Sequence, residues 1–114
     1  MNLNGLTEQA DRAEGFLKLL ANAHRLMLLC KLLEGEQSVT ALCQSVGLSQ
    51  SAVSQHLAKL REGGLVSARR AGLTVYYSLA RDDVRRIIDL LHEFYCRSNG
   101  GGPRPSQKVT VATL

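Results

Sequence analysis

The sequence of 114 residues contains no Trp and only three Tyr and two Phe. A core made without large aromatic residues must be built mainly from Leu, Val, Ile and Ala. No apolar run approaches the length of a membrane span, and the polar residues 1–6 are too short to form a signal peptide. We therefore expect a cytoplasmic protein without membrane contact, whose thiols are kept reduced.

Motifs of two common enzyme classes are also missing. The three cysteines, Cys30, Cys43 and Cys96, form no Cys-x-x-Cys pair, which a thiol oxidoreductase would need. No serine has the setting of a hydrolase nucleophile elbow. The sequence therefore predicts a protein that is not an enzyme and that needs no cofactor.

Composition and charge limit the domain organisation and the partner. Basic residues outnumber acidic residues by 14 to 10, and the pI near 9.3 favours a polyanionic partner. The length is that of one domain, which we expect to span residues 1–98. Three glycines and both prolines lie after residue 98, so residues 99–114 are predicted to form a disordered tail.

The most informative stretch, Ser38 to Gly64, has the pattern of two short helices joined by a tight turn. In its second helix, Val53, Leu57 and Leu60 share one face and should be buried. The opposite face carries hydroxyls, amides and a cation, with no carboxylate before Glu62. Such a face suits the major groove of DNA. The predicted DNA-facing residues of this helix are Gln50, Ser51, Ser54, Gln55, His56 and Lys59.

The ends of both helices carry suitable capping residues. Ser38 and Ser49 can cap the two helices, and Gly47 lies where the turn needs a positive φ. Gly63 and Gly64 end the second helix. An ordinary helical hairpin with a polar outer face would share these features, so the unit alone leaves DNA binding open.

A predicted β-hairpin follows directly, from Leu65 to Leu79, with its tip near Ala71 and Gly72. Arg69 and Arg70 precede the tip and Thr74 follows it. A hairpin after a recognition helix is a wing, and basic residues there suit contact with phosphate or the minor groove. A solvated charge pair is the plainer interpretation of the arginines taken alone.

Three further helices complete the predicted fold. The first spans Thr7–Leu20, the second ends near Leu33, and the last begins at Asp82. Together with the hairpin they predict a mainly α fold with a small β-hairpin (α+β), a winged helix-turn-helix. The apolar residues of the last helix cover more than one face, which is more than a small domain can bury: Val84, Ile87, Ile88, Leu91, Phe94 and Tyr95.

The segments LANAHRLMLLCKL and SQSAVSQHLAKLREGGLVSARRAGLTVYYSL resemble the second helix, recognition helix and wing of the ArsR/SmtB family of bacterial repressors. The resemblance runs from Leu19 to Tyr95 and is strongest to the thiol-based branch that includes HlyU, BigR and SqrR. It implies a homodimer formed through the first and last helices. Such a dimer would bind a pseudo-palindromic operator in double-stranded DNA. A protein-interaction module of the same fold remains an alternative.

Many members of the resembled family sense metals, but their ligand patterns are incomplete here. Cys43 is followed by Gln and Ser, so the Cys-x-Cys pattern is absent. The last helix offers Asp89, His92 and Glu93, with one His at the wrong spacing and no second His. A sensing zinc normally needs four ligands from one neighbourhood. We predict no metal site and keep a metal-responsive repressor as an alternative.

The thiol-based branch offers another signal. The contexts of Cys30 and Cys96 match those of the reactive pair in that branch, so the resemblance implies that they become linked by a disulfide or a short polysulfide chain. The inducer would be a reactive sulfur species or another oxidant. His92 and Arg97 could favour a thiolate at Cys96. Cys43 is expected to be structural or incidental, since an isolated Cys usually behaves as a small hydrophobe.

Overall fold

The computed structural model describes residues 3–95, with side chains from residue 5 onward. Its elements are α1 Leu3–Leu20, α2 Ala23–Leu32, β1 Gln37–Ser38, α3 Val39–Val46, α4 Gln50–Glu62, β2 Val66–Ala71, β3 Thr74–Leu79 and α5 Asp82–Tyr95. This order confirms the predicted winged helix-turn-helix, although α1 begins four residues before the predicted Thr7. The predicted tail, 99–114, and Cys96 lie outside the described residues.

The wing consists of β2 and β3 and belongs to an antiparallel sheet with the strand order β1-β3-β2. Val66 lies opposite Leu79, and the ladder continues to Ala71 opposite Thr74. The turn is therefore Gly72-Leu73, one residue beyond the predicted tip, and Gly72 adopts a φ of 64°. The short strand β1 was not predicted. It pairs Gln37 with Tyr77 and Ser38 with Tyr76, which anchors the wing to the segment before α3.

Aliphatic side chains build the core, as the shortage of aromatic residues predicts. Burying one Leu fully stabilises the fold by roughly 1.5–3 kcal/mol relative to leaving it in water. The buried residues come from all five helices and from the start of the wing, so one core connects these elements. Its members are Leu20, Leu28, Leu29, Leu32, Leu42, Val53, Leu57, Leu60, Leu65, Val66, Val84 and Ile88.

The helix ends are capped as the sequence indicates. The Ser38 hydroxyl accepts a hydrogen bond from the N–H of Ala41, and Ser49 accepts one from Ala52, each at 3.1 Å. Gly47 ends α3 with a φ of 70° in the left-handed region. The two predicted serine caps and the role of Gly47 are confirmed. Together they fix the angle at which α4 leaves the turn.

Two arginines connect helices through backbone carbonyls. Arg25 of α2 donates from Nε to the carbonyl of Leu19 at 2.8 Å and from Nη2 to that of Lys18 at 3.0 Å. Arg85 of α5 donates to the carbonyl of Leu33 at 3.3 Å. Both place a positive charge at the C-terminal end of a helix, where the helix dipole favours it. The outer helices are thereby tied to α2.

The helices α1 and α5 each expose an apolar stripe on the side away from the core. On α5, Val84 and Ile88 are buried, whereas Ile87, Leu90 and Phe94 form a second face that is exposed. On α1 the exposed stripe is Leu6, Ala10, Ala13 and Leu17. Among the described side chains of α1, only Leu20 is buried, with 6% of its surface exposed. No helix within residues 3–95 is both long and apolar enough to cross a membrane.

Candidate functional site

The helix α4 presents a polar face opposite its buried stripe. Val53, Leu57 and Leu60 are fully buried, which fixes the rotation of the helix about its axis. The outward face offers hydrogen-bond donors and acceptors and one cation, without a carboxylate before Glu62. Five of the six predicted contact residues on α4 are exposed there: Gln50, Ser51, Ser54, Gln55 and Lys59.

The sixth residue, His56, is partly covered. Its ring lies 5.8 Å, centroid to centroid, from the ring of His24 at the start of α2, with the planes inclined by 57°. Partial desolvation lowers the pKa of His56, and the nearby charges of Arg25, His24 and Lys59 lower it further. His56 therefore contacts α2 as well as lying at the edge of the exposed face, and neutral imidazole is its favoured form at pH 7.

The two wing arginines lie on opposite faces of the sheet. Neighbouring residues of a strand point to opposite sides, so Arg69 shares a face with Tyr76, opposite it on β3, and Arg70 shares the other face with Val75. Both side chains are exposed, as is Thr74. In the sequence the two arginines form one adjacent basic pair. The strand geometry instead gives them separate surroundings.

Arg69 is engaged by an acidic residue from another part of the chain. Its Nε donates to Oε2 of Glu36 at 3.0 Å, and its Nη2 to Oε1 at 2.6 Å. The guanidinium carbon also lies 4.9 Å from the centre of the Tyr76 ring. The hydrogen bond to Arg69 lowers the pKa of Glu36, and the same contact raises the pKa of Arg69. Among residues 3–95, no ion pair involves Arg70.

Cys30 lines a groove of about 460 Å³ between α2, α3 and α5. The groove is mostly apolar, with Lys31 and His92 among its lining residues. Cys30 is half-buried and packs against the core, and so does Cys43. Cys96 lies outside the described residues. Its predicted partner Cys30 is thus placed beside α5, while the pairing itself stays a prediction.

Metal ligands do not gather in the described part of the chain. Between residues 3 and 95, no three His, Cys, Asp or Glu side chains come close enough together to hold a metal ion. Asp89 and Glu93 are exposed on α5, whereas His92 turns towards the Cys30 groove.

Three residues of this region were not identified from the sequence. Glu36 binds Arg69 from 33 positions away, His24 covers His56, and Arg25 ties α1 to α2. Each depends on the packing of distant elements, which spacing along the chain does not reveal. The position of Glu36 just before Gln37 would have been a signal only if β1 had been recognised as a strand beside the wing.

Comparison with known proteins gives one family match and many relatives. Residues 22–68 match the model of the arsR family of bacterial regulatory proteins. The chain is 46% identical to the transcriptional activator HlyU of Vibrio cholerae over 99 residues, which cover 87% of this chain and 92% of HlyU. It is 35% identical over 96 residues to the biofilm growth-associated repressor of Xylella fastidiosa, covering 84% of each chain.

Solved structures of related proteins have folds similar to that of this chain. The fold is similar to that of reduced HlyU from Vibrio cholerae, with a TM-score of 0.78 at 45% identity, over 83% of this chain and all of HlyU (100%). It is also similar to Mb0332 from Mycobacterium bovis, a homodimeric winged helix-turn-helix DNA-binding domain. That match has a TM-score of 0.73 at 35% identity and covers 80% of this chain and 84% of the domain.

Proposed function

The chain belongs to the arsR family of bacterial regulatory proteins, and from this premise we propose that it is a dimeric DNA-binding repressor controlled by two cysteines. The observation that carries the proposal is the exposed face of α4, which offers amides, hydroxyls and a cation, with no carboxylate before Glu62. Gln55 can contact adenine at two points, Ser51 and Ser54 can serve bases or phosphates, and Lys59 attracts the DNA backbone. The protein would act in the bacterial cytoplasm.

The outer stripes of α1 and α5 support a two-fold dimer. Ile87, Leu90 and Phe94 on α5 would leave water if they packed on a second copy, together with Leu6 and Leu17 of α1. The related Mb0332 domain is homodimeric. A two-fold dimer would present two α4 helices to successive major grooves, so its operator would be a pseudo-palindrome.

Salt dependence of DNA affinity tests the first part of the proposal. Neutralising phosphates releases counterions, so the logarithm of the affinity should fall linearly with the logarithm of the salt concentration. We expect this slope for a random-sequence duplex, and tighter binding to duplexes selected from a random pool. A protein-interaction module would show neither. Affinity that does not respond to salt would therefore exclude DNA as the partner.

The second part of the proposal concerns Cys30 and Cys96. Cys30 lies in a groove that also includes His92, four residues before Cys96 in the sequence. A persulfide R–S–SH would supply the oxidising sulfur. One Cys thiolate attacks its outer sulfur and releases RSH after protonation, which leaves Cys–S–SH. The thiolate of the second cysteine then attacks the inner sulfur (Sγ) of Cys–S–SH and expels the outer sulfur as sulfide. In total, two cysteine thiols and one R–S–SH yield a disulfide, RSH and hydrogen sulfide.

Control requires that the linked and reduced dimers differ in DNA affinity. A link between α2 and the C-terminal end of α5 would change the scaffold that spaces the two α4 helices. A coupling of about 1–3 kcal/mol is typical of such systems. We propose that the reduced dimer binds its operator and the linked dimer releases it. HlyU is a transcriptional activator and the Xylella protein a repressor, and both effects can follow from occupying DNA.

Peptide mapping tests the cysteine pair. Trypsin would place Cys30 in residues 26–31, Cys43 in residues 32–59 and Cys96 in residues 87–97, one cysteine in each peptide. After treatment with a persulfide donor and digestion without reductant, we expect a Cys30 peptide joined to a Cys96 peptide. Separate peptides, or a link to Cys43, would refute the proposed pair and reopen metal-responsive regulation.

Variants extend the same test to function. Cys30→Ser or Cys96→Ser should bind DNA as tightly as the reduced wild type and should keep binding it after persulfide treatment. Cys43→Ser is the matched control, because Cys43 is also half-buried against the core but lies on α3. It should still release DNA. Release by either of the first two variants would contradict the dithiol switch.

A further inference from the structure

Glu36 joins the segment between α2 and β1 to the wing. Its two carboxylate oxygens accept from Nε and Nη2 of Arg69 at 3.0 and 2.6 Å, a two-point contact. Tyr76 lies beneath the guanidinium at 4.9 Å. The pairing of β1 with β3 holds the neighbouring Gln37 against Tyr77, so the backbone next to Glu36 is fixed beside the wing.

This contact satisfies Arg69 in the way that a DNA phosphate would. Carboxylate and phosphate both present two oxygens to the planar fork of a guanidinium, and arginine binds either in the same two-point geometry. An Arg69 paired with Glu36 also carries no net charge as a pair, so it attracts the DNA backbone less than a solvated arginine. The lowered pKa of Glu36 agrees with a carboxylate that stays ionised in this contact.

The pair is open to exchange. The side chains of Arg69 and Glu36 remain 57% and 36% exposed, and exposed ion pairs contribute little net stability. A phosphate approaching the wing could replace Glu36 without unfolding any element. The neighbouring Arg70 points to the other face of the strand, and no ion pair of residues 3–95 holds it.

We propose that Glu36 sets the DNA affinity of the wing by competing with DNA phosphate for Arg69. The inference rests on the proposed function, since it needs the wing to approach DNA. In the free protein the Glu36 carboxylate accepts hydrogen bonds from the Arg69 guanidinium. In the complex with DNA, a phosphate accepts them instead. Glu36 thereby weakens binding to every sequence equally, which limits retention on non-specific DNA.

The test is a double-mutant cycle of Glu36→Gln and Arg69→Gln, with DNA affinity measured against salt concentration. Glu36→Gln should bind random duplex about two- to fivefold more tightly per protomer, the range expected from losing one exposed ion pair. Its salt slope should stay close to that of the wild type, because under competition Arg69 neutralises the same phosphate in both complexes. In the Arg69→Gln background, the Glu36→Gln change should have much less effect.

Glu34→Gln is the matched control. Glu34 lies two residues earlier and pairs with Lys31 at 2.8 Å, so this change removes the same charge and an ion pair without touching the wing. It should alter affinity less than Glu36→Gln does. An equal gain from both variants, or an undiminished gain in the Arg69→Gln background, would overturn competition for Arg69. Absence of salt-dependent binding by the wild type would instead overturn the proposed function itself.

Discussion

Gln55 is exposed on α4 and is the residue that we propose contacts adenine. Its amide can accept and donate to adenine together, so Gln55→Ala should relax base preference at one operator position. For a good two-point contact, the loss at the preferred sequence is roughly 1–3 kcal/mol. Binding to the selected duplex and to its single-base variants measures this. An equal loss for every sequence would show that Gln55 contacts only the backbone.

Arg70 should act on all sequences alike. It is exposed on the wing, on the face opposite Arg69. If it contacts phosphate, Arg70→Ala should weaken binding to random and selected duplexes by the same factor. The salt slope should become shallower by about 0.9 per protomer. A loss confined to the selected duplex would indicate base reading in the minor groove instead.

His56 should make stability depend on pH. Its pKa is lowered in the folded protein by desolvation and by Arg25, His24 and Lys59, whereas the unfolded value is near 6.5. The folded state therefore holds fewer protons than the unfolded state, so the contribution of neutral His56 is complete above pH 6.5 and is lost as the pH falls. Denaturant unfolding at pH 7 and pH 5 should show a smaller loss for His56→Gln than for the wild type. An equal loss of unfolding free energy in the two proteins would contradict the role of His56 in the pH dependence.

The exposure of a single residue could be predicted from the sequence where it depends only on the apolar spacing within one helix. The spacing of Val53, Leu57 and Leu60 determines which side of α4 is buried, and Gln55 lies opposite. The contact between Glu36 and Arg69 was not predictable, because it depends on how the segment after α2 meets the wing. The periodicity of apolar residues within one segment does not show how two distant segments pack against each other.

At the scale of elements, Arg25 connects α1, which carries part of the proposed dimerisation surface, to α2. It holds the last turn of α1 through the carbonyls of Leu19 and Lys18. Losing two hydrogen bonds from a charged group should make Arg25→Ala less stable by about 1–3 kcal/mol. Chemical denaturation of the whole chain measures the change. Arg61→Ala, at an exposed position of α4, should stay within about 0.5 kcal/mol of the wild type.

The helix boundaries at the turn before α4 were more predictable from the sequence than the short strand β1. Ser38, Gly47 and Ser49 carry their capping chemistry in their own side chain or backbone, so the turn before α4 could be read directly. The strand β1 has only two residues, Gln37 and Ser38, and exists because β3 lies beside it. A strand this short has no alternation of its own to detect.

At the scale of the whole molecule, α5 carries two apolar faces, of which the fold itself buries one. Leu90 is 53% exposed and belongs to the outer face. Leu90→Glu should therefore leave the monomer folded but separate the protomers, since burying a charge in an apolar interface is costly. Sedimentation should report a monomer with unchanged helical content, and DNA affinity should fall.

Leu73→Glu is the control for this variant. It introduces the same charge at the turn of the wing, where Leu73 is 98% exposed. It should sediment as the wild type does. If Leu90→Glu also stayed dimeric, the outer face of α5 would lie outside the interface. Two protomers that separated only with Leu73→Glu would place the interface at the wing.

The exposed apolar stripes of α1 and α5 have a consequence for how regulation depends on the amount of protein. The proposed dimer would form by reversible association of these stripes, so it would dissociate when the protein is scarce. Below the dissociation constant of that dimer, the concentration of paired molecules grows with the square of the total concentration. Operator occupancy would then rise more steeply than protein abundance, so a modest change in the synthesis of the regulator could turn a promoter from mostly unoccupied to mostly occupied.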